Sequence, residues 1–168
     1  MISILFNRLL AATGLFLLQI LVFNHVHIMG YATPFPYIFL LLITPLNAQR
    51  WVVILFGFLA GLTADIFTGT IGMQAVAGTL LGFVQPVLLK YFKPVSADEE
   101  IMVPSSKVLG WGAFLRYSFT CSLLFCAVFF ALESFDLLLW QALLINIAGS
   151  TVLTTAAIVF FEAIHGKV

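Results

Sequence analysis

The sequence predicts an all-α membrane protein with six transmembrane helices, on three observations: its composition, the character of its apolar runs and the placement of its basic residues. Hydrophobic residues make up 62% of the 168 residues and charged residues 8%, against about 25% charged in an ordinary soluble domain. A soluble fold of this length leaves roughly a third of its unfolded surface in water, and this composition has too few polar residues to cover that surface. The apolar runs then decide between the two backbone solutions a bilayer allows. Barrel strands alternate apolar and polar residues, whereas Leu15-Phe16-Leu17-Leu18 and Tyr37-Ile38-Phe39-Leu40-Leu41-Leu42-Ile43 do not alternate. At about 20 residues per span, six helices consume most of the chain and leave short loops.

The first span is expected over 4–23. Arg8 ahead of an apolar stretch resembles a signal peptide, but no small-x-small cleavage site follows and the remaining chain is equally apolar, so the segment reads as a span. A turn-rich loop with Asn24, Gly30, Pro34 and Pro36 leads into the second, 36–47, which is short and interrupted at Thr44-Pro45. Pro45 removes a backbone donor, predicting a kink or an early exit. The third span, 51–66, opens behind Arg50-Trp51, a charge and an aromatic ring suited to the interface. Phe67 to Gly72 reads as a tight turn, and the fourth span covers 73–89. Residues 90–107, with Pro94, Asp98-Glu99-Glu100 and Pro104-Ser105-Ser106, read as a solvated cytoplasmic linker. The fifth span, 111–132, has Arg116 snorkelling near its start. Glu133 to Asp136 forms a hairpin turn, and the sixth span covers 137–164.

Six spans place every basic residue of the chain (Arg8, Arg50, Lys90, Lys93, Lys107, Arg116 and Lys167) on one side of the membrane. The other side carries Asp65, Glu133, Asp136, His25 and His27. Loops rich in Lys and Arg stay cytoplasmic, so the expected topology has both termini inside a bacterial cytoplasmic membrane.

Few residues offer chemistry. The net charge is zero, which gives no ground for a nucleic-acid or polyanionic partner. There is no phosphate-binding glycine loop and no nucleophile elbow, and His25-x-His27 lacks a third ligand. Cys121 and Cys126 sit five apart in one apolar run and read as small buried hydrophobes. Glu162 lies near the cytoplasmic end of the last span, within reach of the interface. The expectation is a non-enzymatic protein without cofactor or metal.

Asp65 stands apart. It falls toward the outer end of the third span, where a carboxylate at bilayer depth costs ~2.5 kcal/mol or more and faces protein or water. Gly57, Gly61 and Asp65 recur every four residues and share a helix face, and small residues at that spacing let a second helix approach closely. Gly78 and Gly82 make a second such pair on the fourth span. Two readings stay open. Asp65 either caps the following turn, taking donors from Thr68, Gly69 and Thr70, or contacts an ion, a substrate or a partner.

The pattern Gly61-x3-Asp65-x3-Gly69-x2-Gly72, preceded by a Pro36-started helix ending at Thr44-Pro45, resembles the MreD family of bacterial rod shape-determining membrane proteins. The likeness is strongest from Pro34 to Gly82; elsewhere it rests on length, apolarity and helix count. It implies a membrane adaptor of the cell-elongation machinery that binds the scaffold protein MreC. Through it, the adaptor would act with actin-like MreB filaments and with the glycosyltransferase and transpeptidase that extend peptidoglycan. It also implies a fold similar to the substrate-binding subunits of energy-coupling-factor transporters. Gly61, Asp65, Gly69 and Gly72 are the positions carried over, and the resemblance leaves open whether they touch MreC or shape the bundle. The acidic loop within 90–107 is longer than the family's. The alternative function is a small-solute-binding subunit of a transporter, but the AxxxA docking spacing such subunits carry on their first helix is missing, since Leu15 and Phe16 follow Ala11 and Ala12 at four residues.

Overall fold

The computed structural model describes residue 14 and residues 33–45, 48–70, 72–92, 104–134 and 140–165. The elements, in chain order, are α1 (Ile38–Leu42), α2 (Arg50–Thr68), α3 (Met73–Phe92), α4 (Ser106–Leu109), α5 (Trp111–Glu133) and α6 (Trp140–His165). No strand occurs among the described residues. The expected first span (Gly14 excepted), His25, His27, the acidic run 98–100 and Asp136 lie outside them.

Four helices, α2, α3, α5 and α6, are long and apolar enough to cross a membrane, at about 1.5 Å of rise per residue against ~30 Å of hydrocarbon. Their outer faces carry Trp51, Phe58, Leu59, Ile66, Phe83, Val87, Phe119, Leu144, Val152 and Phe160. Polar groups point inward: Asp65, Gln74, Gln85, Ser118, Ser122, Thr154 and Glu162 are all buried. Lipid solvates apolar side chains and rejects unpaired polar ones, so this distribution is that of a multi-pass membrane protein.

The long helices pack in the order α2, α3, α5, α6, each antiparallel to the one before. Val53 meets Gly82, Gly57 meets Gly78 and Gly61 meets Gln74 across α2 and α3. Tyr117, early in α5, touches Gln85 and Phe92 late in α3. Glu162, late in α6, bonds Ser106 just ahead of α5. Alternation gathers Arg50, Lys90, Lys107 and Arg116 at one end of the bundle and puts Asp65 and Glu133 at the other.

The expected second span, 36–47, has a different form. Helix α1 has five residues, about 7.5 Å of rise, too little to cross a bilayer. Residues 34–42 are buried inside the bundle, where Phe35, Tyr37, Phe125 and Phe129 form an aromatic cluster. Prolines explain the break. A residue before proline is pushed to extended backbone, which holds Thr33 and Phe35 out of helix, and Pro34 and Pro36 bring no N–H. The remaining donors find side chains of α6: Thr33 N donates to Ser150 Oγ at 3.0 Å and Phe35 N to Thr154 Oγ1 at 3.1 Å. At the other end the Tyr117 hydroxyl donates to the Leu42 carbonyl at 3.3 Å and Gln85 Nε2 to that of Thr44 at 3.4 Å. Irregular backbone at membrane depth persists where protein satisfies it, and here four side chains do so.

Of the linker expected over 90–107, residues 93–103 lie outside the described residues. Lys90 to Phe92 complete α3, Pro104 and Ser106 are buried, and α4 begins at Ser106.

Candidate functional site

Gly57, Gly61 and Asp65 lie on the face of α2 turned to α3 and are buried there. A Cβ built on Gly57 would overlap the Gly78 carbonyl, and one on Gly61 would overlap the backbone of Gln74 and Ala75. One on Gly78 would overlap the Gly57 carbonyl, and one on Gly82 would come within 2.8 Å of the Val53 oxygen. The two backbones are therefore in direct contact over about two turns, the arrangement that small residues at four-residue spacing permit.

That contact brings the end of α2 within reach of the start of α3. Asp65 Oδ1 accepts from Gln74 N at 3.0 Å and from the Thr70 hydroxyl at 2.6 Å, and Oδ2 accepts from Ala75 N at 2.9 Å. Gln74 and Ala75 are the second and third residues of α3, whose N–H groups have no partner within their own helix. The residue before α3 is Gly72, with no side chain to cap it, so the preceding helix supplies the cap from Asp65. Three donors and the positive end of the α3 dipole stabilise the buried charge, and among the described residues no salt bridge reaches it. The backbone donors come from α3 rather than from residues 68–70.

The turn between the helices needs its glycines for their backbone angles. Gly69 has φ 72° and donates its N–H to the Asp65 carbonyl at 2.9 Å, and Gly72 has φ 75°. Neither would crowd a Cβ, so the left-handed conformation, not space, calls for glycine. Around the carboxylate, Thr68 Oγ1 lies 2.7 Å from Thr70 Oγ1 and accepts from Gln74 Nε2 at 2.8 Å. Gln74 Oε1 is buried with no partner among the described residues. Beside this pinned corner Ile66 and Phe67 turn outward, 71% and 58% exposed.

Gly61, Asp65, Gly69 and Gly72 thus make one corner, and Gly57, Gly78 and Gly82 continue it as the α2–α3 seam. The corner is a latch in chemical terms, a carboxylate engaged by three donors. No group of three His, Cys, Asp or Glu suited to a metal occurs among the described residues.

Residue patterns did not reveal a second latch. Glu162, placed by sequence at the interface, is 3% exposed. Its Oε1 accepts from Ser106 N at 2.7 Å and from the Ser106 hydroxyl at 2.9 Å. A lone carboxylate in an apolar span, with a Pro-Ser-Ser helix start elsewhere, was the available signal, but it did not pair the two.

Comparison of the chain with protein-family models, with curated proteins and with solved structures finds no match.

Proposed function

We propose that this chain is a non-enzymatic membrane adaptor of the MreD type. In this role it sits in a bacterial cytoplasmic membrane, binds the membrane anchor of an MreC-like scaffold protein and helps to control cell shape and peptidoglycan synthesis. The observation that carries the reading is the Asp65 corner: four residues of the family pattern combine to fix one rigid turn at the end of the bundle away from the basic residues. In this reading the basic end of the four long helices is cytoplasmic, which turns the Asp65 end to the periplasm, where the scaffold protein's anchor emerges. Ile66, exposed beside the latch, offers it an apolar contact. The alternative, a solute-binding subunit, has less support, because Phe35, Tyr37, Ile38, Leu41 and Leu42 fill the space between the long helices and are nearly or wholly inaccessible.

Depleting the protein from a rod-shaped host should round the cells, and the scaffold protein should co-purify with the tagged chain. Ile66→Asn, at an exposed position, should abolish co-purification while leaving thermal unfolding unchanged. Cells that keep their shape on depletion would sink the adaptor reading, and a tightly bound small molecule in place of the scaffold protein would favour transport.

A further inference from the structure

The end of the bundle carrying the basic residues is graded in depth. Arg50, Lys90, Lys107 and Arg116 are all exposed; Arg50 and Lys90 each precede an exposed aromatic ring, and a third exposed ring, Trp111, lies four residues after Lys107 and five before Arg116. These rings are Trp51 at 63%, Tyr91 at 83% and Trp111 at 52%. Among the described residues none of the four cations forms a salt bridge. The described carboxylate at this end, Glu162, is buried and engaged by Ser106.

The helix registers set two tiers. Val53 lies against Gly82, which puts Arg50 level with the Gln85 turn of α3, and Lys90 then lies about 7.5 Å farther out along the axis. Tyr117 meets Gln85 and Phe92, so the first two turns of α5 run beside the last two of α3. Along α5, Trp111 lies about 7.5 Å outward of Arg116. Arg50 and Trp51 therefore lie on an inner tier and Lys90 and Tyr91 on an outer one, and along α5 Arg116 lies inward of Trp111. The headgroup layer of one leaflet is about 5–7 Å deep, which is the offset between the tiers. Arginines at the hydrocarbon boundary reach a phosphate from below with a planar fork of donors, and a lysine with aromatic rings meets the headgroup from above.

We infer that this two-tiered rim binds the headgroup phosphates of anionic glycerophospholipids and retains them around the α2, α3 and α5 ends in preference to zwitterionic lipids. Among the described residues the four cations of the rim have no ion pair, and an anionic lipid brings one more negative charge to them than a zwitterionic lipid does.

The test is native mass spectrometry of the full chain released from micelles holding equal amounts of phosphatidylglycerol and phosphatidylcholine. The wild type should keep phosphatidylglycerol adducts in excess. Arg50→Gln with Arg116→Gln should lower the ratio of the two adducts by about fivefold for each charge removed, with unchanged circular dichroism. If the double variant fails to fold, Arg116→Gln and Lys90→Gln measured singly give the same reading. Equal retention by the wild type, or a preference that survives the loss of both arginines, overturns the inference. Displacement of the adducts by millimolar inorganic phosphate also overturns it, because the rim would then be a site for a free anion.

Discussion

The carboxylate of Asp65 grips the backbone of Gln74 and Ala75, its two oxygens 3.0 Å and 2.9 Å from their amide nitrogens. One side chain at the end of α2 thus completes the first turn of α3. The grip depends on Gly61, because any Cβ there would push the Gln74 turn away. Latch and seam are one device, and the energetics of one report on the other.

Asp65→Ala leaves two buried N–H groups and the part-buried Thr70 hydroxyl without their acceptor. Loss of a cap together with unsatisfied buried donors should cost about 2–3 kcal/mol, read as a shift in unfolding by denaturing detergent. Asp65→Asn keeps one oxygen but sets an NH2 against one of the two amides, so it should fall between alanine and wild type. Stability equal to wild type for Asp65→Ala would mean that the carboxylate does not hold the corner.

Gly61 and Gly69 should respond in opposite order to the same two substitutions. At Gly61 the demand is for space, so alanine costs about 1–3 kcal/mol by overpacking and asparagine costs more. At Gly69 there is room, and the demand is for φ 72°, which asparagine tolerates better than alanine. Gly69→Ala should cost about 1–2 kcal/mol, and Gly69→Asn less. Thermal midpoints ranking both sites alike would refute this division between crowding and backbone angle.

These contrasts mark how far the sequence was legible. The long spans follow from apolar runs bounded by Arg50-Trp51 and Lys90, and the Gly57-Gly61-Asp65 face follows from a four-residue period, which a helix converts directly into shared orientation. What that face touches was not in the pattern, because the donors for Asp65 sit nine and ten residues on, in backbone that any residue would supply. Segment 36–47 misled for a related reason. Tyr37 to Ile43 is as apolar as a span, and periodicity does not tell a buried broken element from a lipid-facing one. Its satisfying partners, Ser150 and Thr154, lie more than a hundred residues away.

Thr154→Val is a near-isosteric test of that broken element. It removes the acceptor of the Phe35 N–H, which Pro34 and Pro36 on either side hold in an extended backbone with no helical alternative. The orphaned donor should cost about 1–3 kcal/mol, while Thr154→Ser keeps the hydroxyl and most of the stability. Hydrogen exchange at Phe35 gives a local readout, with the amide protected in wild type and in the serine variant and faster in the valine variant. Unchanged exchange with valine would show that Phe35 is held by packing alone.

Glu162 and Ser106 should be coupled, since one carboxylate oxygen takes both the amide and the hydroxyl of Ser106 and so ties the end of α6 to the start of α4 and α5. Glu162→Leu strands both donors and should cost about 2–3 kcal/mol. Ser106→Ala removes only the hydroxyl and should cost about 1 kcal/mol in the native background. With Glu162 already replaced, the hydroxyl has no acceptor, so removing it should cost nothing or should stabilise. The resulting coupling of about 1 kcal/mol exceeds the roughly 0.3–0.5 kcal/mol within which independent sites add. A strictly additive cycle would dissolve this latch, and with it the tie that holds Lys107 at the basic rim.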